Sequence, residues 1–241
     1  MTIESVAALL RDAKHVLVFT GAGVSAESGV PTFRSDANAL WREVDIRNFA
    51  YPDGYRRNQP DAWRWYGQRA AKVREVMPNA AHEALAEIER RVPEFLLVTQ
   101  NIDNLHQRAG SKKVLELHGN LREARCFDCD ARSPWVADPV CEACGGLLRP
   151  DVVMFEEELP AGAMEQAREA AESCDLLLSV GTSNLVWPAT EVPRYALRSG
   201  ADVVIINPDM SGQPTGLRVT YLKGAAGAIL PELVRIAYAN L

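Results

Sequence analysis

Four short apolar runs constrain this chain more than anything else in it. They are His15–Thr20 (HVLVFT), Phe95–Thr99 (FLLVT), Leu176–Val180 (LLLSV) and Val203–Ile206 (VVII), each followed by a polar or glycine-rich turn. A run that is apolar at nearly every position suits a strand covered on both faces, as inside a parallel sheet. Val114–Leu117 also reads as extended. Helical spacing alternates with these runs. Ile3–Lys14 places Val6, Leu9 and Leu10 on one face, and Asn79–Arg90 spaces Ala81, Leu85 and Ile88. Pro160–Ser173, Thr190–Arg198 and Leu230–Leu241 are further helical candidates. Strand and helix in alternation predict an α/β fold built on a doubly wound parallel sheet.

Two stretches break that rhythm. Residues 36–78 are rich in Trp, Arg, Asn and Pro and read as irregular chain plus a helix around Ala62–Val76, while residues 122–150 carry four cysteines. Both lie between core strands, so they are read as insertions forming one smaller helical and metal-binding module. The main body is then 1–35, 79–121 and 151–241. One large domain with a small module suits 241 residues, of which 47% are hydrophobic and 24% charged. A net charge of −6 without a Lys/Arg run disfavours nucleic acid as a direct partner. There is no window of about 18 apolar residues, and the N-terminus lacks the layout of a signal peptide. The expectation is a cytoplasmic protein with no membrane partner.

The cysteines fall as Cys126-x-x-Cys129 and Cys141-x-x-Cys144, with a fifth, Cys174, alone in an apolar run. A two-residue spacing lets both thiolates of a knuckle face one ion, and two knuckles complete a tetrahedron. Four thiolates leave no open position, so the zinc expected here is structural, one per chain. A nucleic-acid-binding ribbon shares this spacing; Asp128, Asp130, Asp138 and Glu142 around the cysteines argue against it. Cys174 reads as a small buried hydrophobe.

After the first strand comes Gly21-Ala22-Gly23-Val-Ser25-Ala-Glu-Ser-Gly-Val-Pro31-Thr-Phe33-Arg34. Glycines here let a backbone approach a pyrophosphate. A tight left-handed turn explains Gly21-x-Gly23 as readily, and the third glycine of the dinucleotide fingerprint is replaced by Ala26. The whole string is more specific. With Thr99-Gln100-Asn101-Ile102-Asp103, Leu117-His118-Gly119-Asn120, Gly181-Thr182-Ser183 and Ile206-Asn207-Pro208-Asp209, it resembles the sirtuin family, in family order over nearly the whole chain. The cysteines fall where that family carries its zinc.

The resemblance implies a Rossmann-like NAD domain, a zinc and helical module, and a cleft between them. An acyl-lysine protein or peptide enters from one side and NAD from the other. The acyl oxygen attacks the anomeric carbon of the nicotinamide ribose. Nicotinamide leaves, and the products are free lysine and an O-acyl-ADP-ribose. His118 takes a proton from a ribose hydroxyl, a task that suits a group titrating near neutrality. Asn101 acts with it and, like Asp103, holds the nicotinamide carboxamide, which needs both a donor and an acceptor. Gln100 bonds the ribose, beside Ile102. Gly21, Ala22, Gly23, Ser25 and Pro31 line the cofactor; Phe33 caps the nicotinamide and Arg34 fixes the loop. Gly181, Thr182 and Ser183 face phosphate, Asn207, Pro208 and Asp209 a ribose, and Ala226 the adenine. Without the family context, Gln100–Asp103 is a polar turn and His118 an ordinary histidine.

On the substrate side, Val153 and Phe155 belong to the segment that pairs with the peptide backbone as an extra strand. Glu156 stands where the family usually has glycine, and is expected to alter peptide affinity or favour basic flanking residues. Tyr66 and Arg69 lie three apart on the expected helix, so they face the same way. A phenol and a guanidinium suit a carboxylate. The pair resembles that of sirtuins removing succinyl, malonyl or glutaryl groups, and Ala50-Tyr51-Pro52 resembles their segment in which a small Ala leaves room. An exposed helical face, with Arg64, Lys72 and Arg74 nearby, is the other reading of this spacing. The expected activity is an NAD-dependent lysine deacylase acting on acidic acyl and acetyl groups. A plain deacetylase, a mono-ADP-ribosyltransferase or a non-catalytic binding module are the alternatives.

Overall fold

The structure is a computed structural model that describes residues 2–31 and 43–239. The expectations for Phe33 and Arg34 lie outside the described residues. The strands are β1 (His15–Thr20), β2 (Glu94–Thr99), β3 (Val114–Glu116), β4 (Gly119–Cys126), β5 (Arg132–Ser133), β6 (Leu148–Val152), β7 (Leu176–Val180), β8 (Asp202–Asn207) and β9 (Val219–Lys223). The helices are α1 (Ile3–Asp12), α2 (Glu43–Phe49), α3 (Pro52–Arg57), α4 (Gln59–Glu75), α5 (Ala80–Arg91), α6 (Leu105–Arg108), α7 (Ala163–Ser173), α8 (Val192–Arg198) and α9 (Ala226–Ala237). None of the described helices is long and apolar enough to cross a membrane.

Six strands form one sheet in the order β3-β2-β1-β7-β8-β9, with every neighbouring pair parallel. The chain winds outward one way from β1 and, after returning, the other way from β7. That reversal is the topological switch point at which doubly wound sheets bind ligands. Alternate residues of the central strands supply two cores. Val16, Val18, Leu178, Val180, Val204 and Ile206 pack with residues of α1, α5 and α9 on one face. Leu17, Phe19, Leu177, Val203 and Ile205 pack with α7 and α8 on the other. This two-sided burial is why the strands read as unbroken apolar runs.

The main departures sit at edges. Strand β9 shows no apolar run because it is the outer strand, and only Thr220 in it is buried. Helix α9 starts at Ala226, four residues before the expected Leu230, and includes Pro231. Gly224 and Gly227 disguise its beginning. Where Thr190–Arg198 was expected as one helix, a short 3-10 turn (Ala189–Glu191) precedes α8.

The irregular stretch before α5 contains α2, α3 and α4. They pack against an antiparallel sheet of order β5-β4-β6. Tyr55, Ala62, Trp63, Tyr66, Leu121, Ala124, Leu148, Val152 and Met154 make this third core. Two indoles tie it together: Trp63 Nε1 donates to Val136 O (3.1 Å), Trp135 Nε1 to Leu121 O (3.0 Å), and the rings lie 4.6 Å apart.

Candidate active site

The glycine loop lies at the switch point. Gly21 N donates to Val180 O (3.1 Å) and Gly23 N to Gly181 O (2.7 Å), so the loop after β1 lies directly on the loop after β7. A Cβ on Gly23 would stand 2.7 Å from Gly181 O and 2.8 Å from its Cα. Neither Gly21 nor Gly23 has a positive φ. These glycines serve close approach, not a left-handed turn. Directly after Gly21 and including Gly23, the chain makes a 3-10 segment, Ala22–Ser28, closed by Gly29 at φ +82°. A regular helix would start here in the usual fingerprint, which is why its third glycine is dispensable.

That 3-10 turn buries Ser25 beneath the loop after β2. Ser25 Oγ donates to Asp103 Oδ2 (2.7 Å) and accepts from Asn101 Nδ2 (3.2 Å). Asn101 Nδ2 also donates to Gly21 O (3.1 Å). Both amide protons of Asn101 are thereby committed, and its Oδ1 is left as the acceptor for a ligand. Asp103 Oδ1 accepts from Leu105 N (3.0 Å). Burial pushes the Asp103 carboxyl above the usual carboxylate range, and its bonds to Ser25 and Leu105 oppose that.

His118 follows β3. Its Nδ1 lies 3.0 Å from Gln100 O. A carbonyl can only accept, so Nδ1 carries the proton and Nε2 keeps its lone pair. Burial lowers the imidazole below its ordinary value, favouring the neutral ring, while the bond to Gln100 works the other way. Next to it, Gly119 has φ +70°, and a Cβ there would collide with Asp151 O. Gln100 Nε2 reaches Thr182 Oγ1 (2.9 Å), and Gln213 Nε2 holds Thr182 O (3.0 Å).

Hydrogen bonds between the loops after β1, β2, β3 and β7 thus gather Gly21, Gly23, Ser25, Gln100, Asn101, Asp103, His118, Gly181 and Thr182 at one end of the sheet. Ala22, Pro31 and Ile102 are half-buried, and Ser183 is exposed. Asn207, Pro208 and Asp209 lie further along the same sheet edge. Asn207 Nδ2 donates to Asp209 O (2.5 Å), and Ser211 N–H to the Asp209 carboxylate (2.9 Å), which holds that group low. Ala226 is buried in the first turn of α9, where Gly227 N is taken by Glu27 Oε2 (2.7 Å).

Sequence reasoning missed His82. It is fully buried, its Nδ1 accepts from Asn79 N (3.2 Å), and its Nε2 lies 3.4 Å from Ser25 Oγ. Burial drops it to about 4, so it is neutral. Its only local signal is the Asn79/His82 capping box of α5, which points to a helix start and not to a site.

On the other side of His118, Val153 N donates to His118 O (2.9 Å) and Phe155 N to Ala50 O (2.8 Å). Tyr51 stacks on Phe155 at 5.2 Å. Glu156 sits at φ +71°, which gives the physical reason for a glycine at this position. On α4, Tyr66 is buried and burial pushes its phenol up. Arg69 is half-buried, with its guanidinium 2.9 Å from the Trp65 ring centre and Nη1 donating to Trp65 O (3.3 Å). A solvated face describes Arg64, paired with Asp61, but not Tyr66.

The four cysteines converge. Sγ of Cys126 and Cys144 are 3.5 Å apart, those of Cys129 and Cys141 3.7 Å, and all four lie within 4.8 Å of one another. A tetrahedral zinc with Zn–S of about 2.3 Å needs sulfur edges of about 3.8 Å. Asp128 N and Gly146 N each donate to a cysteine sulfur at 3.3 Å, as suits thiolates. The residues fit one structural zinc. Cys174 is buried and pushed up to about 12, so it is unreactive.

Residues 21–188 match the Sir2 family. A relative from Pseudomonas aeruginosa, named NAD-dependent protein deacylase 1, is 45% identical over 98% of this chain and 99% of its own. A solved Sir2 homologue in complex with ADP ribose has a TM-score of 0.92 at 38% identity, covering 99% of this chain and 97% of that one. A Sir2 structure with a p53 peptide and NAD+ has a TM-score of 0.82 at 32% identity, covering 98% and 96%. With the glycine loop, the His118 network and the cysteine cluster all in place, the chain belongs to the Sir2 family and is an NAD-dependent protein deacylase.

Proposed function

We propose that this enzyme removes acetyl and acidic acyl groups, of the succinyl and malonyl kind, from lysine side chains of peptides or proteins in the cytoplasm. The observation that carries the catalytic assignment is the Nδ1 bond from His118 to Gln100 O (3.0 Å), which fixes the tautomer and leaves Nε2 as the base. Asn101 and Asp103 hold the carboxamide, their oxygens accepting from its NH2 group. Gln100 and Thr182 hold the adjoining ribose and phosphate, with Ser183, Asn207, Pro208, Asp209 and Ala226 toward the adenosine end. NAD, when bound, supplies an electrophilic ribose carbon and accepts the acyl group.

Val153 and Phe155 pair with the peptide backbone, and Ala50, Tyr66 and Arg69 line the acyl pocket. Burial of Tyr66 supports the acidic-acyl assignment. The zinc held by Cys126, Cys129, Cys141 and Cys144 fastens the small module and takes no part in the chemistry. We place that module at residues 36–78 and 122–150.

The test is mass spectrometry of acetyl-, succinyl- and glutaryl-lysine peptides incubated with the enzyme, with and without NAD. Expected products are free lysine, nicotinamide and an O-acyl-ADP-ribose, formed only with NAD. ADP-ribosylated protein in place of free lysine would mark the enzyme as a transferase.

A further inference from the structure

The segment after β6 is pinned by three successive amides. Val153 N donates to His118 O (2.9 Å), Met154 N to Glu157 Oε2 (2.8 Å) and Phe155 N to Ala50 O (2.8 Å). The middle tie is internal to the segment and is only as firm as Glu157. That carboxylate is gripped by Arg149, which is 2% exposed. Arg149 Nη2 donates to Glu157 Oε2 (2.7 Å) and to Val152 O (2.8 Å), and Nη1 donates to Glu157 Oε1. Its guanidinium also lies over the Phe127 ring at 4.7 Å.

Burying a guanidinium is costly, and an apolar pair of similar volume often serves stability as well or better. The surrounding core of Tyr55, Tyr66, Phe127, Leu148 and Val152 would accept such a pair. An apolar pair cannot bond Val152 O and Met154 N at once, across the bend where Glu156 turns left-handed. Arg149 also reaches this bend from inside β6, so it couples the small sheet to the segment's shape.

We infer that Arg149 and Glu157 are positioning residues that preset the peptide-pairing segment 153–156 before substrate arrives. This rests on the proposed role of Val153 and Phe155. Their side-chain hydrogen bonds run to each other, Val152 and Met154, and to none of the glycine-loop, Gln100–Asp103 or Thr182 groups, so their effect falls on peptide binding.

The experiment compares the zinc-loaded enzyme with an Arg149→Met/Glu157→Met double variant, on an acetyl-lysine peptide and NAD. Peptide KM is expected to rise about tenfold, as for a site correctly arranged about a tenth of the time. The kcat and the KM for NAD should stay near the parent values. Arg149→Lys keeps the charge pair and should give a smaller rise. An unchanged peptide KM, or equal rises in both KM values, overturns the inference. Amide hydrogen exchange of the unmodified enzyme decides the matter should the double variant not fold. Met154 N–H is expected to be protected without peptide, and exchange at the rate of a free amide overturns the clamp. An unmodified enzyme that turned over no acyl peptide would instead sink the proposed function, and the exchange result would still stand or fall by itself.

Discussion

The two halves of this molecule are held by different forces. The six-stranded sheet is fixed by apolar burial on both faces, and its ligand site is built from loops that the sheet brings together. The small module has one modest core and is tied by point attachments: four thiolates and two indole donors hold it together, and the buried Arg149–Glu157 pair fixes the shape of the segment after β6. Area burial degrades gradually under mutation, whereas a missing point attachment leaves its partner stranded. The site lies between the two, so each half can be disabled separately.

The largest effect should come from the metal. Structural zinc in small folded units carries an apparent binding energy of about 10–16 kcal/mol, as much as a whole domain's stability of about 5–15 kcal/mol. Cys126→Ser or chelation is therefore expected to unfold the module and abolish turnover while the parallel sheet persists. Metal analysis, circular dichroism and activity check this together. A zinc-free enzyme that stayed active would show that the module's core suffices alone.

His118→Ala strikes the other half. A general base contributes about 10²–10⁴-fold to rate, so kcat should fall by that order while NAD and peptide still bind. Near-full turnover would remove His118 from the chemistry. In the unmodified enzyme the base must be neutral. Its folded value is lowered, so activity should hold as pH falls to the ordinary 6.5 and drop only below it.

The same contrast explains what the sequence discloses. Strands β1 and β7 were readable to the residue because nearly every position in them is apolar and all but His15 are buried. Gly21, Gly23 and His118 were readable only as parts of strings, since the Gly23–Gly181 contact joins positions far apart in sequence. His82 was not readable, because a buried donor to Ser25 looks the same in sequence as a residue that caps a helix. The small module's β4 and β6 were not readable either. Their strands mix Arg149, Arg125 and Asp151 with apolar residues, and ion pairs erase the alternation on which a strand is recognised.

Between the halves, the acyl pocket should respond by less than the base. A hydrogen bond to a charged group is worth about 1.5–3 kcal/mol, or about 10- to 150-fold. Arg69→Met and Tyr66→Phe are expected to raise KM for a succinyl peptide by that order and to leave an acetyl peptide little changed. Equal losses on both peptides would reduce the two residues to a structural part of α4.

The smallest effect pits two left-handed residues beside the β4–β6 sheet against each other. Gly119 (φ +70°) and Glu156 (φ +71°) have nearly the same backbone angle and lie at the same end of the β4–β6 pairing, Gly119 opposite Val152 and Glu156 four residues beyond it. An L-residue in this region costs roughly 1–2 kcal/mol. Glu156→Gly removes that cost but loosens the unfolded chain, which takes back about 0.4–1 kcal/mol. The net is a gain of up to about 1.6 kcal/mol, or up to about 3–6 °C in Tm for a chain of this size. At Gly119 the angle is matched but the space is not, because a Cβ would collide with Asp151 O. Gly119→Ala should therefore lower Tm, adding the collision to the backbone cost. If Glu156→Gly lowered Tm as well, the Glu156 side chain would be contributing more than its backbone costs. The module would then rest on one more point attachment than its hydrogen bonds reveal.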